Sequence, residues 1–449
     1  MLKGAEVAII GAGFSGSLLA INLLRHDGPR ATLIERRPDR LARGVAYGTA
    51  RQEHLLNVRA SNMSAFPDQP DHFTSWLAAR GLDASGFAER RTYGLYLKDL
   101  LDQAIMSAPH RLRIIEGEAV GLDGVGAQSR VQLADGTAVA ADTVVLAQGN
   151  LPPHPLPHFG DLGDKVYVAD PWAGDIAGGL SAHDSVLLIG TGLTAIDVAM
   201  TLDFAGFRGC IMALSRRGLV PRRHELAGPP PAREDRPRQS GAHLVAHVRR
   251  RAAIVGWRAA IDELRPYTQD IWRAASVDQQ ARFLRHLRPW WDVHRHRIAP
   301  PVAERIDAMT GEGRLSFSAG QILATHPRDA GTQVVWRPRG TTEGRNMLVS
   351  RIINCTGPQG DVQRSTDALL RQLVDTGLIR PDRLHLGIDV DARGRALRRD
   401  GGADDRLLAI GPMTRGAHWE IVAVPDLRQQ AWTLARRLSV AHWVEGEGL

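Results

Sequence analysis

EVAIIGAGFSGSLLAINLL, residues 6–24, runs an apolar strand into a glycine-dense turn and out into an apolar helix. Gly11, Gly13 and Gly16 hold the G-x-G-x-x-G spacing, with Phe14 and Ser15 between the second and third glycines. The three glycines have distinct roles. Gly11 permits the tight turn, Gly13 lets backbone amides approach a pyrophosphate, and Gly16 lets the helix pack on the strand. The N-terminus of the helix adds partial positive charge, so the unit predicts a phosphate-bearing cofactor. The next strand, ATLIE, ends at Glu35, followed by Arg36. A carboxylate at that place accepts the hydrogen bonds of a ribose diol.

SVLLIGTGLTAIDVA, residues 185–199, repeats the pattern with Gly190, Thr191, Gly192, Leu193 and Thr194, and with Ala195 where the third glycine would stand. Alanine also allows close helix packing. The following strand, CIMALSRRG, ends differently, with Ser215, Arg216 and Arg217 where the first unit has Glu35. A carboxylate there would repel a 2′-phosphate, whereas a hydroxyl and two guanidinium groups bind one. The second site therefore reads as built for NADPH, with NADH the other coenzyme it could take. The competing reading is that these arginines are two more solvated charges in an arginine-rich chain.

Both units close in the same way, DTVVLAQGN running into Gly149 and SRIINCTGP into Gly357. The chain is thus a loose internal duplication. The fold class expected is α/β, two Rossmann-like dinucleotide-binding domains, FAD in the first and NAD(P)H in the second, with a helical insert. The expected boundaries are 1–165 and 359–449 for the FAD-binding domain and 166–358 for the NAD(P)-binding domain, the insert lying at about 222–310.

Bulk composition fits this picture. A chain of 449 residues has room for two or three domains. It is 43% hydrophobic and 23% charged, and no apolar run reaches the ~18–20 residues that cross a bilayer. No export signal stands out, so a cytoplasmic protein is expected. The net charge of +7 is spread along the whole chain, and only Lys3, Lys98 and Lys165 are lysine. That pattern argues for a general arginine bias and against a nucleic-acid footprint; attraction of anionic small molecules is its more natural use. Cys210 and Cys355 stand far apart in strand-like runs, and there is no C-x-x-C pair.

Residues 222 to about 310 do not continue a Rossmann pattern. RRHELAGPPPAREDRPRQSG (222–241) reads as a loop, while HLVAHVRRRAAIVGWRAAIDELR and VDQQARFLRHL read as helices. They lead to PWWDVHRHRIAP, which carries Trp290, Trp291, His294, Arg295, His296 and Arg297. No cysteine or carboxylate cluster with ligand spacing accompanies the H-x-H, so no metal is expected. These residues serve either as packing at a domain junction or as contacts to substrate or cofactor.

The whole pattern resembles the two-dinucleotide-binding flavoproteins, including the flavin-containing and N-hydroxylating monooxygenases. Within that pattern it more closely resembles the YdhS-like bacterial FAD/NAD(P)-binding proteins. The resemblance covers nearly the whole chain and rests on GVAYGT (44–49), HLLNVRASNMSAFPDQPDHF (54–73), WWDVHRHRIAP (290–300) and GPMTRGAHWEIVAVPDLRQQA (411–431). It implies that His54 and Asn57 lie beside the flavin, that Gly411 and Pro412 approach the pyrophosphate, and that Thr414 and Arg415 approach the ring. The helix after Trp419 would aim its N-terminal amides at the flavin's pyrimidine edge. It also implies the chemistry: NADPH reduces FAD, and oxygen then forms a flavin hydroperoxide that hydroxylates a small polar substrate. Two substrate classes fit. A urate-like heteroaromatic would use Trp291, His294, Arg295 and His296, with His418 a further candidate. An amino-acid amine would need a carboxylate, Asp292 or Glu420. The alternatives are a flavin reductase or oxidase passing electrons to a carrier or to oxygen, and a non-enzymatic flavin redox sensor. No nucleophilic triad is evident, which suits chemistry carried by a cofactor.

Overall fold

A computed structural model describes residues 5–26, 28–48, 51–125, 129–157, 159–225 and 236–439. The chain forms two compact units, one of residues 1–50, 58–151 and 360–449, the other of residues 51–57 and 152–359. The first unit thus ends at 151, where the sequence suggested 165, and the short segment 51–57 goes with the second.

In chain order the first unit supplies β1 (Glu6–Ile10), α1 (Phe14–Arg25), β2 (Arg30–Glu35), α2 (Gly44–Tyr47), α3 (His72–Ala78), α4 (Arg90–Ser107) and β3 (Leu112–Glu116). A small antiparallel meander follows, β4 (Ala119–Asp123), β5 (Ser129–Leu133) and β6 (Ala138–Ala141), and then β7 (Thr143–Leu146). The second unit begins its sheet with β8 (Tyr167–Val168), β9 (Ser185–Ile189), α5 (Leu193–Phe204) and β10 (Cys210–Ser215). Six helices come next: α6 (Gly241–Val255), α7 (Trp257–Leu264), α8 (Thr268–Ala274), α9 (Val277–Arg282), α10 (Arg288–Arg295) and α11 (Pro300–Gly311). The unit ends with β11 (Leu315–Arg328), β12 (Gly331–Pro338), β13 (Arg345–Val349) and β14 (Arg351–Asn354). The chain then returns to the first unit with α12 (Ala368–Asp375), β15 (Arg395–Leu397), β16 (Ala403–Ala409) and α13 (Val424–Ser439).

The first sheet has the order β15-β16-β7-β1-β2-β3 and is parallel apart from β15. β1 pairs with β2 on one side and with β7 on the other, which makes its carboxyl end a topological switch point where doubly wound sheets bind ligands. The second sheet, β13-β12-β11-β10-β9-β14-β8, repeats that centre: β9 lies between β10 and β14, all parallel. Central parallel strands are covered on both faces, so they read as unbroken apolar runs. β7 and β14 are accordingly buried at every position. α1 is buried from Phe14 to Leu24, because α4 and α13 pack on it as well as the sheet. That explains why its sequence is apolar almost all round.

The insert is helical as the sequence indicated, but its first apolar stretch is two helices, broken at Gly256, which adopts φ 82°. Residues 226–235 of the expected loop lie outside the described residues. Two arginine–carboxylate forks tie the helices together. Arg251 on α6 meets Glu263 on α7 at 2.8 and 2.9 Å, and Arg297, just past α10, meets Asp262 at 2.8 and 3.0 Å. Arg297 is therefore a packing residue, buried and bonded also to the carbonyls of His294 and Arg258.

Packing alone dictates one fingerprint glycine. A Cβ on Gly16 would overlap the carbonyl oxygen of Gly11 and touch the Ile9 side chain at 3.2 Å. Gly16→Ala should therefore cost about 1–3 kcal/mol through overpacking, read as a lower midpoint in chemical or thermal unfolding. An unchanged midpoint would mean that α1 can move off β1 at no cost.

Candidate cofactor sites

In the first unit the turn between β1 and α1 is crowded on one side and open on the other. Gly11 has φ 98°, and a Cβ there would lie 2.5 Å from the carbonyl oxygen of Ala147, at the end of β7. Gly13 is different. Its φ of −74° suits any residue, and a Cβ would meet only the Gly44 backbone, at 3.3 Å. Gly13 caps α1 without a side-chain partner for the first-turn amides, and that turn carries no acidic residue. Free amides beside a missing side chain form a cradle for an anionic group.

Glu35, at the end of β2, is held by the glycine turn. Its Oε2 accepts the Ala12 N–H at 2.8 Å and its Oε1 accepts the Arg37 N–H at 2.9 Å, so the turn itself orients the carboxylate. Arg36 reaches away from it to Glu118 at 3.3 Å and Asp367 at 3.2 Å. Asp367 caps α12 through the Leu370 N–H and also accepts the Gln148 side-chain amide at 3.2 Å. Phe14 and Ser15 are buried at the head of α1, and Gly149, beyond β7, takes φ 73° with open space at its Cβ position.

The late segment comes to the same place. Gly411 has φ 83°, and a Cβ there would lie 2.8 Å from the Ser15 hydroxyl oxygen. Its N–H donates to Gln430 Oε1 on α13 at 2.7 Å, and Gln430 Nε2 donates to the Thr414 hydroxyl at 3.1 Å. The Thr414 hydroxyl donates to the Gly411 carbonyl, and Pro412 begins the short 3₁₀ turn that spans them. Arg415 lies over the Trp419 ring, 4.5 Å from its centroid. The His418 N–H donates to the Thr414 carbonyl. α13 begins at Val424, five residues after Trp419, with turns between.

In the second unit a Cβ on Gly190, at φ 126°, would overlap the carbonyl oxygen of Cys355 just past β14. A Cβ on Gly192 would meet nothing within 4 Å. Gly192 caps α5 as Gly13 caps α1, with no side-chain cap and no acidic residue in the first turn, where Leu193 and Thr194 stand. The Thr191 hydroxyl lies 2.9 Å from Ser215 Oγ and donates to the Leu219 carbonyl at 2.6 Å. Ser215 Oγ accepts the Gly218 N–H at 2.9 Å. The two arginines part company here. Arg217 donates to the carbonyls of His286 and Arg285, at 3.1 and 3.0 Å, in a π-helical turn at Phe283–Leu287. Arg216 is exposed and makes no ion pair among the described residues.

His54 and Asn57 belong to the second unit. The His54 ring is buried, its Nε2 2.9 Å from the Thr201 hydroxyl and 3.3 Å from the Asp197 carbonyl, both on α5, with Trp172 edge-on at 5.9 Å. The Asn57 carbonyl pairs with His224 Nε2 at 3.0 Å. Among the insert candidates, His294 Nδ1 pairs with the Trp290 carbonyl at 2.7 Å and its ring packs edge-on against Trp257. Trp291, Arg295 and His296 share α10 and its C-cap with it. Asp292 is held by Arg288 at 3.3 Å and faces His296 at 4.0 Å. Among the described residues no cluster suits a metal, and no helix is long and apolar enough to cross a membrane.

Sequence reasoning passed over Gln430, Asp367, Gln148 and Ala42. Ala42 is buried at φ 65°, its N–H donating to the Ala12 carbonyl at 2.8 Å. Nothing local distinguishes a long-range hydrogen-bond partner; Gly44, close to Ala42 in GVAYGT, was the one available signal of close backbone approach.

Residues 8–151 match the model of a family described as FAD-NAD(P)-binding. No curated protein matches the chain. Among solved structures, the cadaverine monooxygenase of desferrioxamine biosynthesis from Erwinia amylovora, bound to FAD, superposes with a TM-score of 0.69 at 12% identity, over 98% of this chain and 95% of that one. An ornithine N-hydroxylase of Kutzneria sp. 744, with reduced FAD, NADP+ and L-ornithine, gives 0.64 at 16% identity over 97% and 99%. The bacillithiol disulfide reductase of Staphylococcus aureus gives 0.58 at 12% identity over 97% and 98%. The chain shares the doubly wound α/β fold of these proteins.

If the gap beside Gly13 receives a pyrophosphate, Gly13→Val should yield a folded protein that purifies colourless, with flavin content near zero by absorbance. A yellow Gly13→Val protein would place the cofactor elsewhere.

Proposed function

We propose that this chain is an FAD-dependent, NADPH-consuming monooxygenase that hydroxylates the nitrogen of a small amine. The observation that carries it is the pair of side-chain-free helix N-termini. Gly13 and Gly192 have backbone angles open to any residue; a Cβ on Gly192 would meet nothing within 4 Å and one on Gly13 only the Gly44 backbone at 3.3 Å, so the absent side chains leave both helix N-termini open to approaching ligands. The first site offers the Glu35 carboxylate to a ribose diol and the Gly411–Thr414 turn beside Ser15, the pattern that suits FAD. The second offers exposed Arg216 at the end of β10, which suits a 2′-phosphate. Bound FAD would supply redox and oxygen chemistry, and the chain's part is to hold it, orient it and keep water away.

The reductase alternative sharing this fold needs a reactive cysteine pair if its acceptor is a disulfide. Cys210 pairs across from Ser185, at the start of β9, while Cys355 bonds to Ile189 at its other end. Cys355 is buried, and burial pushes its thiol far above the usual range, with the nearby Asp197 charge adding to the effect. Hydroxylation is the reading that uses both dinucleotide sites without thiols, and it also covers the YdhS-like resemblance.

An amine is favoured over a urate-like ring because the cadaverine and ornithine enzymes share the fold, and because a buried carboxylate, Glu420, follows Arg415 on the late segment. Asp292 is the weaker choice, already neutralised by Arg288. Oxygen and the amine would be the partners of the reaction.

The test begins with the purified protein. Anaerobic NADPH should bleach its flavin absorbance, and a diamine or diamino acid should accelerate NADPH oxidation in air and yield a hydroxylamine. Acceleration by urate alone would overturn the amine assignment, and absence of any flavin would overturn the whole reading. Arg216→Ala should raise the NADPH KM by about 10–100-fold, the worth of a charge-assisted hydrogen bond of roughly 1.5–3 kcal/mol, and leave NADH unaffected. Arg217→Ala should instead loosen the insert with little coenzyme discrimination. Equal effects of Arg216→Ala on both coenzymes would remove it from the 2′-phosphate.

A further inference from the structure

Three of the chain's five tyrosines lie in one cluster of the first unit, and that cluster begins at the glycine turn. Phe14, the first residue of α1, has its ring 6.0 Å from Tyr47 and 6.4 Å from Tyr93. From there oxidisable rings follow in series: Tyr47 to Tyr93 at 4.8 Å, Tyr93 to Tyr96 at 5.5 Å, and Tyr96 to Trp76 at 5.6 Å. The series ends near the surface, where the Trp76 Nε1–H donates to Asp99 and the Arg80 guanidinium lies over the indole at 3.9 Å.

The members differ in what they can do with a proton. A phenol that loses an electron becomes strongly acidic, so its oxidation is easy only where a base stands ready. Tyr93 has none. Its ring is fully buried, its hydroxyl has no hydrogen-bond partner among the described residues, and burial raises its pKa well above the usual range. Tyr96 is the opposite. Its oxygen accepts the Ala65 N–H at 3.2 Å and lies 3.0 Å from His72 Nδ1, with the Ser64 hydroxyl also beside it; in the Nε2–H tautomer of His72 the phenolic proton points to Nδ1. Burial, and secondarily Arg25, lower the His72 pKa, with Asp68 opposing, which keeps the ring a neutral acceptor. Arg428 is the other cation facing Tyr96. Trp76 has an acceptor for its N–H in Asp99, but that carboxylate oxygen is already shared with Arg80 at 2.6 Å, and the oxidised indole would be a cation beneath the same guanidinium.

We propose that Tyr96 and His72 form a proton-coupled redox site, the resting place of oxidising equivalents that enter the Tyr47–Tyr93–Tyr96–Trp76 series. In the step, Tyr96 gives one electron to the oxidant and its O–H bond breaks as the proton moves to His72 Nδ1. A neutral tyrosyl radical and a protonated imidazole remain, and the oxidant is reduced by one electron. The oxidant is a photoexcited oxidised flavin or an oxygen-derived radical. The entry of equivalents from a flavin rests on the function proposed above, whereas the properties of the Tyr96–His72 pair do not.

Two oxidants separate these dependencies. The FAD-loaded protein is illuminated with blue light without oxygen, and, independently, the protein with or without flavin is exposed to azidyl radicals; both samples are read by electron paramagnetic resonance and transient absorption. Wild type should give a neutral tyrosyl radical in both. Tyr96→Phe, which keeps the ring and its packing, should abolish that signal. His72→Gln, which keeps a hydrogen-bond acceptor but takes no proton, should slow its formation several-fold while circular dichroism and flavin content stay unchanged. A tyrosyl signal undiminished in Tyr96→Phe, or no tyrosyl radical in wild type with azidyl, overturns the proposal. A radical with azidyl in a protein that binds no flavin would leave the pair standing and overturn only the cofactor reading.

Discussion

The pressure of a strand-end carbonyl on the first glycine of each turn sets the geometry of both units. At Gly11 the carbonyl belongs to Ala147 after β7, and at Gly190 it belongs to Cys355 after β14. Neither position has room for a Cβ, and both take positive φ. The turn is thereby held tight against the switch point of its sheet, and the first amides of α1 and α5 are aimed over its carboxyl edge. The glycines of one fingerprint thus divide into two kinds. Gly11, Gly16 and Gly190 answer to strong overlaps with the protein's own backbone, while Gly192 leaves open space and Gly13 meets only the Gly44 backbone, at 3.3 Å.

Around each cradle the chain fixes its polar groups by long-range bonds. In the first unit Glu35 is oriented by amides of the turn it serves, and Gln430 of α13 holds the Gly411–Thr414 turn by both ends of its side-chain amide. In the second, Thr191 and Ser215 join the fingerprint to the loop after β10, and Arg217 joins that loop to the π-helical turn of the insert. Arg217 therefore acts on the helical insert through backbone carbonyls, and Arg216 keeps its charge at the surface. Two neighbouring arginines with the same sequence credentials have been given different work by the position of one turn.

Much of the fold was legible beforehand because the parallel strands are short apolar runs with fixed punctuation. The two glycine turns, the carboxylate at Glu35, its replacement by Ser215 and Arg216, the closing Gly149 and Gly357, and the helical insert are all local patterns. The placement of 51–57 was not legible. His54 goes to α5 of the second unit because its buried ring nitrogen finds Thr201 and the Asp197 carbonyl there, partners 147 and 143 positions away. Likewise Arg297 looked like one more member of a basic cluster, and only the approach of α7 turned it into the buried partner of Asp262.

The sequence by itself determined where the chain turns, which stretches are covered on both faces, and that two dinucleotide folds lie in one chain, since these follow from backbone sterics and from hydrophobic periodicity over a few neighbouring residues. Tertiary structure alone decided which polar side chains remain available. That choice depends on donors and acceptors brought together from distant parts of the chain: a buried polar atom takes whatever partner the fold delivers, and a side chain without one there is left to a ligand or to solvent.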